Sequence, residues 1–137
     1  MKPVFRPGPN MAVKVPPHEY GATLSFYRDT LGLTEVSGDT ESTTETARFR
    51  FGDKTLWIDR VERISQAEIW LEIVTDDLEA AADHLARHGV ARRDGIEPLP
   101  DAVHGFWISS PSNIIHLVQA LPSTGGDEVT SAYECTD

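Results

Sequence analysis

The residues best equipped for chemistry stand at alternate positions. Glu68, Trp70 and Glu72 are spaced by two, as are Trp57 and Asp59, and Asn10 and Lys14 lie two alternations apart. His116 is the polar centre of Ile114-Ile115-His116-Leu117-Val118. Residues two apart share one face of a β-strand. Indoles beside carboxylates suit a flat or cationic organic ligand, because ring faces attract cations and carboxylates add charge complementarity. In that reading Trp57 and Trp70 stack on the ligand. Asp59, Glu68 and Glu72 set the charge, and His116 donates or accepts a hydrogen bond. Plainer roles compete with it. His116 also suits a satisfied interior position, and the indoles also suit core filler between two halves. The carboxylates also suit pairing with Lys14, Arg48 or Arg50, since charges avoid burial unless paired. His84 and His88 have the i, i+4 spacing of a metal pair, yet read as a solvated helix end near the C-terminal dipole. There is no Ser/His/Asp order, phosphate-binding glycine loop or cysteine nucleophile.

The elements that position these residues can be read from periodicity. Pro3, Pro7 and Pro9 make 1–9 an extended N-terminal arm. Residues 10–15 alternate, with Met11, Val13 and Val15 opposed to Asn10, Ala12 and Lys14. Pro16-Pro17 opens a helix expected to run to Leu31, its apolar stripe Tyr20, Leu24, Tyr27 and Leu31 widened by Phe26 and its end marked by Gly32. Strands are expected at 33–37, 46–51 and 54–61, with a polar connection at 38–45. The order then restarts. A strand at 67–74 sets Ile69, Leu71 and Ile73 against Glu68, Trp70 and Glu72. Asp76 with Glu79 reads as a capping box for a helix from Asp77 to about His88, ended by Gly89. Short strands are expected near 90–97, 106–109 and 114–119. The last is expected to turn Ile114, His116 and Val118 to the same side as Glu68 and Trp70, with Trp107 a further candidate. Residues 10–61 and 67–119 thus each read β-α-β-β-β, within one α+β domain ending in a polar tail at 120–137. Four strands with one helix leave a sheet face uncovered, and two such modules can curl into an incomplete barrel whose concave side holds a pocket.

Composition narrows the partners. Among 137 residues, 12 Lys and Arg against 22 Asp and Glu give a net charge of −10. That balance disfavours nucleic acid. Cys135 is the single cysteine, so neither an internal disulfide nor a thiolate metal cluster is expected, and a reducing compartment suits the chain. No apolar run reaches membrane-spanning length. The expectation is a soluble cytoplasmic protein.

The sequence resembles the vicinal oxygen chelate superfamily, which includes glyoxalase I, extradiol dioxygenases, and fosfomycin and bleomycin resistance proteins. Val13-Lys14-Val15-Pro16, Phe26-Tyr27-Arg28-Asp29-Thr30-Leu31-Gly32-Leu33, Asp77-Leu78-Glu79-Ala80-Ala81-Ala82 with Gly89-Val90, and Ser110-Pro111-Ser112-Asn113-Ile114-Ile115-His116-Leu117-Val118 carry the resemblance. It implies two βαβββ modules and, in metal-dependent members, four ligands on the concave face. Carried over, those positions hold Asn10, Trp57, Glu68 (or Ile69) and His116. Trp57 cannot ligate and Asn10 is a poor ligand for Zn, Ni or Fe. The resemblance therefore favours the metal-free, drug-binding resistance subgroup. It implies a homodimer that binds a small aromatic or cationic compound through Asn10, Lys14, Trp57, Asp59, Glu68, Trp70, Glu72 and His116, with no cofactor and no catalytic residue. The alternative is a lyase, isomerase or dioxygenase with Zn, Ni, Mn or Fe held by Glu68, His116 and a third group. A weaker alternative is a partner-binding protein with a filled cavity.

Overall fold

A computed structural model describes residues 2–36, 46–99 and 101–121. The connection expected at 38–45 lies outside them, as do Cys135 and all but the first two residues of the tail. The chain divides into two compact units. One is Pro9–Trp70, and the other joins the N-terminal residues up to Gly8 to the chain from Leu71 onward.

In the Pro9–Trp70 unit, three strands lie in the order β2 (Thr46–Phe51), β3 (Lys54–Arg60), β1 (Phe5–Val15). β1 runs parallel to β3, and β2 antiparallel to it. Alternation sends Val15, Phe49, Leu56 and Ile58 to one face, where they pack with Met11, Val13, Tyr20, Leu24 and Tyr27. Met11, Val13, Val15, Tyr20, Leu24 and Tyr27 are residues that the spacing predicts, and Phe49, Leu56 and Ile58 join them from β2 and β3.

The first helix departs from expectation. α1 (Pro17–Ser25) gives way to a π-helical turn over Phe26–Thr30. There the Leu31 amide donates to the Phe26 carbonyl at 2.9 Å and the Leu33 amide to the Tyr27 carbonyl at 3.0 Å. A π turn admits one extra residue and rotates the next residues off the helical stripe. Leu31 and Phe26, expected on the buried stripe, are consequently exposed, and Leu33 packs against the core instead. The strand expected at 33–37 reduces to a bridge, Glu35 with Phe49, flanked by bonds from Val36 to Arg48 and from Arg50 to Thr34.

In the other unit the order is β4 (Glu68–Thr75), β7 (Ile115–Ala120), β6 (Gly105–Ser109), β5 (Ala91–Arg92). β4 and β7 are parallel, and β7, β6 and β5 alternate antiparallel. α2 (Leu78–Arg87) covers one face, where Ala81, Phe106, Ile108 and Val118 are buried with Leu78, Ala82, Leu85, Val90 and Phe5 around them. Phe5 shows that the N-terminal arm is part of this unit. β1 begins at Phe5 and not at Asn10, and the Val4 amide donates to Asp76 Oδ1 at 3.0 Å. The cap of α2 is therefore Asp77, whose Oδ1 accepts from the Ala80 amide at 3.0 Å, and not Asp76. Gly89 ends the helix with φ +76°, a conformation that side-chain-bearing residues rarely adopt. No helix among the described residues is long and apolar enough to cross a membrane.

Two measurements check this account. Asp77→Ala is expected to lower stability by about 1 kcal/mol, read as a shift of the urea midpoint with unchanged slope. The second concerns His84, whose imidazole sits below its ordinary value of 6.5, first through desolvation and then through His88, Lys2 and Arg87. The unfolded chain therefore takes up this proton more readily than the folded one. Its contribution to stability is complete above about pH 6.5 and is lost as the pH falls below that value. Melting temperature should drop on acidification, and His84→Gln should flatten the drop.

Candidate functional site

The face of the Pro9–Trp70 sheet opposite the apolar cluster is polar and yet buried. Asn10, Ala12, Lys14, Arg48 and Trp57 are all excluded from solvent there. Strand register explains their company, since Lys14 stands beside Asp59, Thr46 beside Asp59, and Arg48 beside Trp57. Lys14 Nζ lies 2.8 Å from Asp59 Oδ2, with side-chain exposures of 8% and 15%. The Thr46 hydroxyl donates to the other carboxylate oxygen of Asp59. The Lys14 ammonium also sits 4.3 Å from the centre of a Trp70 ring, and the Arg48 guanidinium 5.3 Å from a Trp57 ring. Trp57 Nε1 donates to Asn10 Oδ1 at 2.7 Å. Trp70 Nε1 donates to Glu68 Oε1 at 3.0 Å, near the exposed start of β4.

This unit therefore brings together six of the eight residues selected from sequence: Asn10, Lys14, Trp57, Asp59, Glu68 and Trp70. Its added members are Thr46 and Arg48. Thr46 carries no signal of its own in the sequence, and Arg48 suggests only a charge partner. The alternation of β2 places both on this face, opposite Ala47 and Phe49.

The other two selected residues lie in the second unit, on different faces. Glu72 is buried and its Oε2 accepts from Gln119 Nε2 at 2.7 Å. A Cβ on Gly8 would fall within 2.6 Å of Glu72 Cγ, so the glycine gives this carboxylate its space. His116 corrects the expected phase of β7. Its register neighbours are Leu71 on β4 and Ile108 on β6, and Val118 shares its side of the strand in the cluster under α2. His116 thus faces the helix side, with Nδ1 3.0 Å from the Ile114 carbonyl. The opposite face of β7 carries Ile115, Leu117 and Gln119. Trp107, in register with Leu117, stands on that face, its Nε1 donating to the Glu97 carbonyl at 2.9 Å.

The two modules contain an internal equivalence. Asn10 is in register with Thr55 and bonds Trp57, two residues further along β3. Glu72 is in register with Leu117 and bonds Gln119, two residues further along β7. Both pairs join the first strand of a module to its last strand, and both span 47 residues. By position in the fold, Glu72 and Gln119 are therefore the counterparts of Asn10 and Trp57, in place of Glu68 and His116. The equal spacing is visible in the sequence, but only register shows that it matters.

These donors do not fit a metal centre. The Asn10 side-chain oxygen is taken by an indole N–H, and indole nitrogen is a donor only. Glu72 is the one carboxylate among the four equivalent positions. Among the described residues no three His, Cys, Asp or Glu side chains come together in a metal-binding group.

A strand and helix followed by a bridge and two strands in the first module, and by three strands in the second, with a helix on one sheet face and buried polar side chains on the other, define a duplicated α+β class. The chain belongs to the glyoxalase-like domain family, whose profile matches residues 12–109. Among curated proteins no match was found. Solved structures share the fold at low identity. The hypothetical protein BH1468 from Bacillus halodurans C-125 is 12% identical over 88% of this chain and 97% of its own, with a TM-score of 0.59. The Mn(II)-bound glyoxalase from Novosphingobium aromaticivorans is 19% identical over 85% of this chain, which spans only 40% of that protein, with a TM-score of 0.58. The methylmalonyl-CoA epimerase from Mycobacterium tuberculosis is 14% identical over 86% and 89%, with a TM-score of 0.55. At these identities the likeness is one of fold.

The Asn10–Trp57 bond gives a direct test of the buried polar face. Asn10→Ala removes this acceptor from a buried indole N–H and is expected to cost about 1–3 kcal/mol. Trp57→Phe in the Asn10→Ala background should recover part of that cost, because phenylalanine brings no N–H to bury. Denaturant titration of the two single variants and the double variant measures the coupling.

Proposed function

We propose that this protein binds a small aromatic or cationic compound without a metal ion, in the manner of the drug-binding resistance proteins of its superfamily. The observation that carries this reading is the Asn10–Trp57 hydrogen bond. It closes two positions at which the resemblance puts metal ligands in the enzymes. Trp57 is almost fully buried beneath Arg48, so its role is to support the face from within. Trp70 is only half-buried and has the exposed Glu68 carboxylate on its N–H.

Stacking on Trp70 with the ligand's charge near Glu68 is the arrangement that the side chains favour. Lys14 and Asp59 hold the ring from below through the ammonium contact and the ion pair. Glu72, buried in the second unit and bonded to Gln119, has no part in this binding mode. His116, on the helix side of β7, has no part in this binding mode. A homodimer acting in the cytoplasm is the setting that the resemblance suggests. The Mn(II)-bound glyoxalase and the epimerase share the fold, and the donor set described above does not support carrying their metal chemistry over.

The test is a titration of tryptophan emission with acridinium and phenanthridinium dyes. Saturable quenching is expected, unchanged in EDTA, and weakened roughly tenfold in Trp70→Ala, equivalent to about 1–2 kcal/mol of ring–cation contact. Quenching that vanishes with EDTA would move the protein to the metal-dependent lyases, isomerases or dioxygenases. A flat response to every dye would leave a filled, non-binding face.

A further inference from the structure

The end of α2 carries a second feature, separate from the polar sheet faces. His84 and His88 lie one helical turn apart, their ring centroids 4.3 Å from each other at an interplanar angle of 45°. Two protonated imidazoles at that distance repel, so attraction of each to the helix C-terminus does not by itself account for the pair. The hydrogen bond of His88 is the kind that ligating imidazoles make. His88 Nδ1 is 2.8 Å from the His84 carbonyl. A neutral His88 donates its proton to that oxygen, which leaves the Nε2 lone pair pointing away. This is how metal-binding histidines are commonly oriented. The His84 ring also contacts Phe5, at a centroid distance of 6.0 Å. Phe5 belongs to the same unit and packs against the core under α2, so the His84 ring is held against a fixed partner. Among the described residues, neither imidazole forms an ion pair with a carboxylate.

We propose that His84 and His88 form a surface site for a divalent transition-metal ion. Imidazoles at i and i+4 on one helix can converge on a single ion, as in helical zinc motifs. Two neutral imidazoles select Cu(II) over Ni(II) and Zn(II), and all of these over Mg(II) or Ca(II). Water, or a donor from another molecule, completes the coordination. The site is independent of the proposed ligand face, since neither histidine lies on a strand.

The experiment is isothermal titration of the untagged full chain with CuSO4, NiCl2 and ZnCl2, paired with electron paramagnetic resonance of the Cu(II) form. One ion per chain is expected, with hyperfine coupling to two imidazole nitrogens and the affinity order Cu > Ni > Zn. His84→Gln and His88→Gln should each weaken Cu(II) binding about tenfold or more, since even the loss of an outer partner costs that much. His116→Gln should leave it unchanged. Both substituted positions are on the helix surface, and circular dichroism of each variant shows whether the fold is retained. Absence of binding, coupling to fewer than two nitrogens, or binding that survives in the double variant overturns the proposal. None of these outcomes bears on the dye titration in EDTA.

Discussion

A lysine can lie within a sheet face only if its charge is answered there. In the Pro9–Trp70 unit Lys14 is 6% exposed, and Asp59 meets it from the neighbouring strand at 2.8 Å. A buried pair of this kind adds little net stability, because desolvation offsets much of the attraction, but losing either partner is expensive. The pair therefore acts more as a constraint than as glue. It requires β1 and β3 to stay in the register that puts these two residues side by side, and a one-residue slip would move both to the opposite face. Thr46 on Asp59, Trp70 on Lys14 and Arg48 over Trp57 all depend on that register.

The same constraint accounts for the division of labour between faces. Apolar residues of β1, β2 and β3 pack under α1 and the π turn, while the polar residues satisfy one another on the reverse. The second unit repeats the plan with different chemistry. There Glu72 and Gln119 occupy the places that Asn10 and Trp57 hold in the first, and Gly8 makes room for the carboxylate. In both modules these equivalent positions are filled by side chains bonded to each other.

Legibility from sequence differs between the two units. The polar face of the first unit can be read almost completely, because β1, β2 and β3 alternate cleanly and each has one apolar side. β7 offers no such contrast. Ile115, Leu117, Val118 and Gln119 are all buried, so both its sides are interior. An apolar run with one histidine then carries a period of two but no sign of which phase faces the helix. For that reason the sequence points His116 to the wrong side and gives no hint of Gln119.

The sequence by itself determined the order of the principal elements, the two-module plan, most of the apolar set of the first core, the glycine stop of α2 and membership of the family. These depend on local periodicity, backbone preferences and motif, which each segment carries alone. Tertiary structure decided the π turn that exposes Leu31 and admits Leu33, the use of Asp77 over Asp76 as cap, the phase of β7 and the partner of every buried polar group. Each of those was a choice between locally comparable alternatives. The choice was settled by what lay across the strand or under the helix, because a buried polar atom must find its partner wherever the register puts one.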